Sequence, residues 1–205
     1  MKYYVCHHTP LKDRRQYLTT ELGRHGIEPH WVTGFMPNDI TFPEKHRFIS
    51  KAEMSIFLKH VYCYQDQINN SVEYATIFED DVSIEKTFRI NERNFMREFI
   101  QLNGDIMFVG ECCNIKPANI IQGRYVYHEP SYRTRCAHYY VVSLKAANLI
   151  MQKIKDNPIT IDHFLDEIIE SQNLRSCYTV PGVKALSSAP QAGVLGGVFK
   201  SALKE

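Results

Sequence analysis

The chain predicts an α/β sandwich, and three observations carry the prediction. Short apolar runs of strand length recur along it, stretches with helical apolar spacing separate those runs, and cap and breaker residues mark the boundaries. One apolar run, Tyr74-Ala75-Thr76-Ile77-Phe78, passes directly into Glu79-Asp80-Asp81. Three adjacent carboxylates at the end of a buried strand repel one another unless a cation or cationic ligand sits among them. In open α/β sheets ligands bind beyond the carboxyl ends of the strands, which is where these acids fall.

Residues 2–6 read as a short buried strand. His7-His8-Thr9-Pro10 then turns into a helix carrying Leu11, Leu18 and Leu22 and ending near Gly23. Residues 28–32 form a second strand closed by Thr33-Gly34, and residues 35–49, with Pro37 and Pro43, read as an irregular loop of a length that often serves a site. Ser50-Lys51-Ala52-Glu53 matches a capping box, and Met54, Phe57, Leu58, Val61 and Ile68 follow on one helical stripe that reads as core. After the acids, a helix over about residues 91–102 buries Phe95, Phe99 and Leu102, and Gly104-Asp105 turns into a strand over 106–109. Residues 139–142 are a further strand, and Ser143 caps a helix bearing Ala147, Ile150, Met151 and Ile154 that Pro158 stops. The region between Glu111 and His138 has weaker periodicity and room for an antiparallel hairpin; the Gly-rich segment from Ala189 reads as a mobile tail or lid.

With 205 residues and 44% hydrophobic content, one domain is expected, over residues 1–190, with 191–205 as the tail. The balance of 24 basic and 23 acidic side chains excludes a nucleic-acid coat and makes recognition local. No run approaches the ~18 apolar residues of a membrane span, and the start is too short in apolar character for a signal peptide. Six cysteines, without CxxC pairs, read as buried thiols and favour a cytoplasmic location. Adjacent Cys112-Cys113 lack the spacing of a zinc site.

Oxygen ligands in a short loop suit magnesium or manganese, which binds through one or two carboxylates and completes its shell with substrate phosphates. The opposing reading has the acids capping the next helix or facing solvent. Asp162, in Ile161-Asp162-His163-Phe164, either caps a helix or works as a carboxylate base or in a metal shell. Arg14 and Arg15 suit bidentate phosphate recognition but also suit a solvent-facing helix turn. His60 fits a hydrogen bond within the site or a satisfied structural role, and Lys51 a phosphate contact. Tyr132, Arg133 and Arg135 offer aromatic and cationic surface to an acceptor sugar.

Several segments occur in a telling order: Arg14-Arg15, Ser50 to His60, Phe78-Glu79-Asp80-Asp81-Val82, Asp105-Ile106-Met107-Phe108-Val109-Gly110, and Ala137-His138-Tyr139-Tyr140-Val141-Val142-Ser143-Leu144-Lys145-Ala146-Ala147. Together they resemble glycosyltransferase family 25, the group with lipopolysaccharide-biosynthesis and collagen hydroxylysine galactosyltransferases. The resemblance spans about residues 2–190. It implies a GT-A-like, Rossmann-type α/β/α sandwich, a UDP-hexose donor (galactose or glucose), manganese or magnesium, and inversion at the anomeric carbon. It implies Glu79 and Asp81 as metal ligands, Asp162 as catalytic base, and Thr9, Arg14, Arg15, Lys51, His60 and Asp80 on the donor, with Asp80 toward the ribose. The acceptor would be a glycan, a lipid-linked glycan or hydroxylysine.

The chain departs from the family where Lys51-Ala52-Glu53-Met54-Ser55-Ile56-Phe57-Leu58-Lys59-His60 lacks the Gly-Cys segment that often precedes a Ser-His pair. Beyond Asp162, Gln191 is the nearest polar candidate for completing a metal shell. Two further readings compete: a non-catalytic sugar-binding or assembly module retaining the fold, and a metal-dependent phosphoesterase, for which the histidines cluster too little.

Overall fold

The computed structural model describes residues 1–41, 49–109, 125–128, 137–154, 159–179 and 186–188. Its strands are β1 (Lys2–Cys6), β2 (His30–Val32), β3 (Tyr74–Glu79), β4 (Val82–Ile84), β5 (Ile106–Phe108), β6 (Val126–His128), β7 (Tyr139–Ser143), β8 (Ser176–Thr179) and β9 (Leu186–Ser188). The helices are α1 (Lys12–Arg24), α2 (Lys51–Asn69), α3 (Phe88–Gln101), α4 (Leu144–Lys153) and α5 (Ile161–Ser171), with a 3-10 turn at Pro37–Asp39.

Seven strands make one mixed sheet in the order β2-β1-β3-β7-β5-β8-β6, and β4 pairs with β9 apart from it. Pairings β1–β2, β1–β3 and β5–β8 are parallel, whereas β7 runs antiparallel to both β3 and β5 and β6 antiparallel to β8. Five strands therefore point one way, and β7 lies reversed at the sheet centre, burying all five of its residues. The carboxyl ends of β1, β3, β5 and β8 and the start of β7 consequently share one rim of the sheet.

Period-two alternation sorts the strand side chains into two cores. Tyr4, Cys6, Ile77, Ile106, Phe108, Tyr140 and Val142 face one way, packing with Phe57, Tyr64, Ala146, Ile150, Phe164 and Ile168 of α2, α4 and α5. Val5, Phe78, Met107, Tyr139 and Val141 face the other, packing with Leu18, Leu22, Phe88, Phe95 and Phe99 of α1 and α3. This is the α/β sandwich expected from the alternation, with helices on both faces of the sheet as the resemblance implies.

The predicted α2 start is present in full: Ser50 Oγ accepts from Glu53 N at 3.1 Å, and Glu53 Oε2 accepts from Ser50 N at 2.6 Å. Ser143 likewise caps α4, accepting from Ala146 N at 3.1 Å. Gly104 is required sterically, because a Cβ there would lie 2.1 Å from the buried Phe99 ring. Two readings of the sequence need correction. Helix α3 begins at Phe88 rather than 91, because buried Phe88 adds an apolar anchor one turn earlier. Strand β6 pairs with β8, far along the chain, while most of the region between Glu111 and His138 that had room for a hairpin lies outside the described residues. Strands β8 and β9 were not expected, both being short runs with Ser and Thr among their residues. Pro43, Pro158, Cys112, Cys113 and the tail from Ala189 lie outside the described residues.

Candidate active site

The acid triplet occupies the turn from β3 to β4, at the rim. Register fixes it: Cys6 of β1 pairs with Glu79 on one side, and on the other Glu79 N donates to His138 O at 2.8 Å. The three carboxylates then part, Glu79 being the last residue of β3 while Asp80 and Asp81 form the turn itself.

Asp80 turns inward and is 8% exposed. Its Oδ1 accepts from Arg14 Nη1 at 2.7 Å; its Oδ2 accepts from His8 N at 2.9 Å and contacts His7 Nδ1 at 2.8 Å. Burial by itself would raise this carboxyl, but the bonds from His7, His8 and Arg14 outweigh it and hold Asp80 below the usual carboxylate range. The contact expected between Asp80 and a ribose is thus replaced by a lock between the β3–β4 turn, the end of β1 and α1. Arg14, expected at the diphosphate or in solvent, is buried in the same lock. The reason is tertiary: α1 lays its first turn against the rim, so Arg14 meets Asp80 while Arg15 faces outward over the Trp31 ring, 5.0 Å from its centroid.

Glu79 and Asp81 differ from Asp80. Burial, then the neighbouring Asp162 and Asp80 charges, push the Glu79 carboxyl up to about 8 against the pull of Arg14. Burial and the Glu79 charge push Asp81 up to about 7. Both acids are therefore short of positive charge, the condition of a site awaiting a cation. Asp162 comes from the first turn of α5, 83 residues after Glu79 in number (162 − 79), yet it is close enough for their charges to interact. Its expected capping role is absent: Thr160 holds the N-cap position, and Asp162 Oδ1 accepts instead from Ala137 N at 2.9 Å. That bond ties α5 to the segment entering β7.

His60 is fully buried on α2, with Nε2 3.7 Å from Glu79 Oε1 and Nδ1 2.7 Å from Tyr140 Oη. It lies behind the acids rather than on the open rim, which corrects its expected contact with the donor. Thr9 is exposed, its Oγ1 donating to Met36 Sδ at 3.5 Å, and Lys51 is exposed at the start of α2. Neither meets the acids in any described contact. Tyr132, Arg133, Arg135 and Gln191 lie outside the described residues.

Two residues at the rim escaped the sequence reading. Lys59 is 2% exposed, bonded through Nζ to Ser55 Oγ at 2.6 Å, and burial lowers its ammonium although the Cys6 and Asp80 charges oppose the shift. These two positions fall within the departure noted above, so the signal was the departure itself. His138 precedes β7, and burial drives its imidazole down to about 4. A neutral ring directly beside a tyrosine-rich strand reads from sequence as ordinary core.

The model of the family described as Glycosyltransferase family 25 (LPS biosynthesis protein) matches residues 1–165. The chain belongs to glycosyltransferase family 25. A Haemophilus influenzae protein named "Putative glycosyltransferase" is 24% identical over 174 residues, covering 77% of this chain and 59% of that protein. The lacto-N-neotetraose biosynthesis glycosyltransferase LgtB of Neisseria meningitidis serogroup B is 25% identical over 91 residues, 40% of this chain and 33% of that protein. This family 25 chain thus spans less than two thirds of the length of either relative. A crystal structure of a glycosyltransferase involved in glycosylation of the major capsid of PBCV-1 superposes with TM-score 0.52 at 12% identity, covering 93% of this chain and 94% of that one. At that identity the likeness concerns the fold, the GT-A-like sandwich.

Among the described residues no three His, Cys, Asp or Glu side chains form a ready metal cage. The donor set still fits a hard divalent ion that takes one or two protein carboxylates and leaves the rest of its shell to phosphate and water. The raised Glu79 and Asp81 carboxyls are the pair that could hold such an ion. No helix of the described residues is long and apolar enough to cross a membrane.

Proposed function

We propose that this family 25 chain is a metal-dependent, inverting glycosyltransferase that moves a hexose, galactose or glucose, from a UDP-sugar to a glycan or hydroxylated acceptor. The observation that carries the reading is the convergence of Glu79, Asp81 and the sequence-distant Asp162 at the carboxyl rim of the sheet, with two of the three carboxyls pushed well up. Manganese or magnesium held by Glu79 and Asp81 would supply Lewis-acid neutralisation of the diphosphate leaving group.

Asp162 is the general base. It takes the proton of the acceptor hydroxyl as that oxygen bonds to the anomeric carbon; the bond from that carbon to the diphosphate breaks, and the electron pair leaves with UDP. The bond from Ala137 N holds the carboxylate in place, leaving Asp162 Oδ2 for the proton. Asp80 and Arg14 do not touch substrate; they hold the turn that presents Glu79 and Asp81. The acceptor class follows the LPS-biosynthesis description of the family and the glycan in the name of the Neisseria relative. The free, buried thiols Cys6, Cys63 and Cys177 accord with a cytoplasmic site of action.

The test is release of UDP from a panel of UDP-sugars with and without manganese, wild type against Asp81→Ala. One sugar should be hydrolysed in a manganese-dependent way, with the rate falling at least about 100-fold in Asp81→Ala, the scale of a lost transition-state electrostatic contact. No hydrolysis of any donor, together with no manganese-dependent UDP binding by calorimetry, would leave the non-catalytic module as the reading.

A further inference from the structure

Among the described residues Lys59 is the one buried lysine, 2% exposed, and the chemistry proposed above leaves it unused. Its Nζ donates to Ser55 Oγ at 2.6 Å, one helical turn earlier on α2, and Ser55 is itself buried. An ammonium carries three N–H donors, of which Ser55 takes one. No ion pair among the described residues includes Lys59.

Its place is the carboxyl rim. The Lys59 charge acts on the Cys6 thiol, on Asp80 and on His8. Cys6 ends β1 and pairs in register with Glu79, and His60, the next residue of α2, comes within 3.7 Å of Glu79 Oε1. Lys59 thus lies on the α2 side of the acid turn. Asp80 is no counter-ion of its own: Oδ1 is taken by Arg14 Nη1, and Oδ2 by His8 N and His7 Nδ1. His8 is half-buried, so the corner it shares with Lys59 borders solvent.

A buried charge without a partner costs stability, and an apolar side chain of similar volume would avoid the cost. Residues that break such a rule with no compensation inside the protein concentrate at functional sites. The ligand class follows from the signs. Phosphate oxygens accept charge-assisted hydrogen bonds from an ammonium. A lone anion, however, would sit beside the acid triplet, and a lone metal ion beside the ammonium. A diphosphate that brings its own divalent ion suits both, with the ion toward the acids and a phosphate oxygen toward Lys59.

We infer that Lys59, held by Ser55, is a diphosphate-binding residue: its Nζ donates to a phosphate oxygen of the nucleotide donor and carries part of the charge that the metal would otherwise neutralise alone. The nucleotide and the metal in that statement rest on the function proposed above; an anion site at Lys59 does not.

The experiment is binding of UDP, inorganic pyrophosphate and uridine, each with magnesium, to wild type, Lys59→Met and Ser55→Ala, read by calorimetry for the two anions and by ligand-detected NMR for uridine. Lys59→Met should bind UDP and pyrophosphate about 10-fold or more weakly, the scale of a lost hydrogen bond to a charged group, and uridine as wild type does. Ser55→Ala keeps the charge and loses only its anchor, so it should lose less. Equal UDP affinity in folded Lys59→Met overturns the inference, and so does an equal loss for UDP and uridine. Should Lys59→Met fail to fold, Lys59→Arg assigns the Lys59 ammonium resonance in 15N-lysine-labelled wild type, which magnesium pyrophosphate should shift and uridine should not; an unshifted resonance overturns the inference. Pyrophosphate bound through Lys59 without any UDP binding leaves the anion site standing and fails the proposed function, whereas wild type that binds neither anion overturns both.

Discussion

Arg14 Nη1 donates to Asp80 Oδ1 at 2.7 Å with both side chains nearly excluded from solvent, so the middle acid of the triplet is consumed by the protein itself. Removing one member of a buried ion pair leaves the other uncompensated, which costs about 3–5 kcal/mol. Asp80→Asn should therefore lower stability by about that amount in urea unfolding, and Arg14→Met combined with Asp80→Asn should cost less than the sum of the two. An Asp80→Asn protein of wild-type stability that binds UDP more weakly would instead return Asp80 to the ribose.

Glu79 and Asp81 set the pH response. Their carboxyls titrate near 8 and near 7 in the folded protein, against ordinary values of 4.5 and 3.8. Between about pH 4 and pH 8 the folded state holds protons that the unfolded chain has released, so stability falls as pH rises through that window. Melting temperature measured from pH 5 to pH 8 should decline, and Glu79→Gln should flatten part of the decline. Manganese with UDP captures the ionised carboxylates, so it should oppose the decline and release protons on binding near pH 7, detectable by calorimetry in buffers of different ionisation enthalpy. A stability that rises across this window would contradict the burial of the two acids.

Lys59 is a buried ammonium with Ser55 Oγ as its described hydrogen-bond partner. Burial lowers its folded pKa below the ordinary 10.5, so its charge costs stability below the folded value, and the cost disappears as pH rises toward 10.5. Lys59→Met keeps most of the volume and removes the charge. It should unfold at equal or higher urea concentration than wild type at pH 7, and wild type should gain on it between pH 7 and pH 10. Destabilisation of Lys59→Met by more than about 1 kcal/mol, the net worth of a typical hydrogen bond, would show the ammonium to be a net support of the rim.

How much was legible shows best in α2 and β7. Ser50 and Glu53 announced the α2 capping box because both partners lie within four residues, and the same holds for Ser143 at α4. The apolar run of β7 was equally plain as a strand. Its direction was not, since a strand buried on both faces reads alike whether its neighbours are parallel or antiparallel. Of the site, the triplet was visible as charge that an apolar run delivers. The partition among its members was hidden: Asp80 differs from Glu79 and Asp81 only by which way each side chain leaves the backbone and what waits there.

The sequence by itself determined the family, the sandwich and the place of the acids, because strand and helix periods, caps and adjacent charges are local and survive without coordinates. Tertiary structure alone decided that Arg14 serves Asp80, that Asp162 comes within charge range of Glu79 while bonded to Ala137, and that Tyr64, Tyr140 and His60 line up behind the site. Those relations join residues 25 to 83 positions apart, and such contacts depend on sheet order and helix placement, which no short-range pattern encodes.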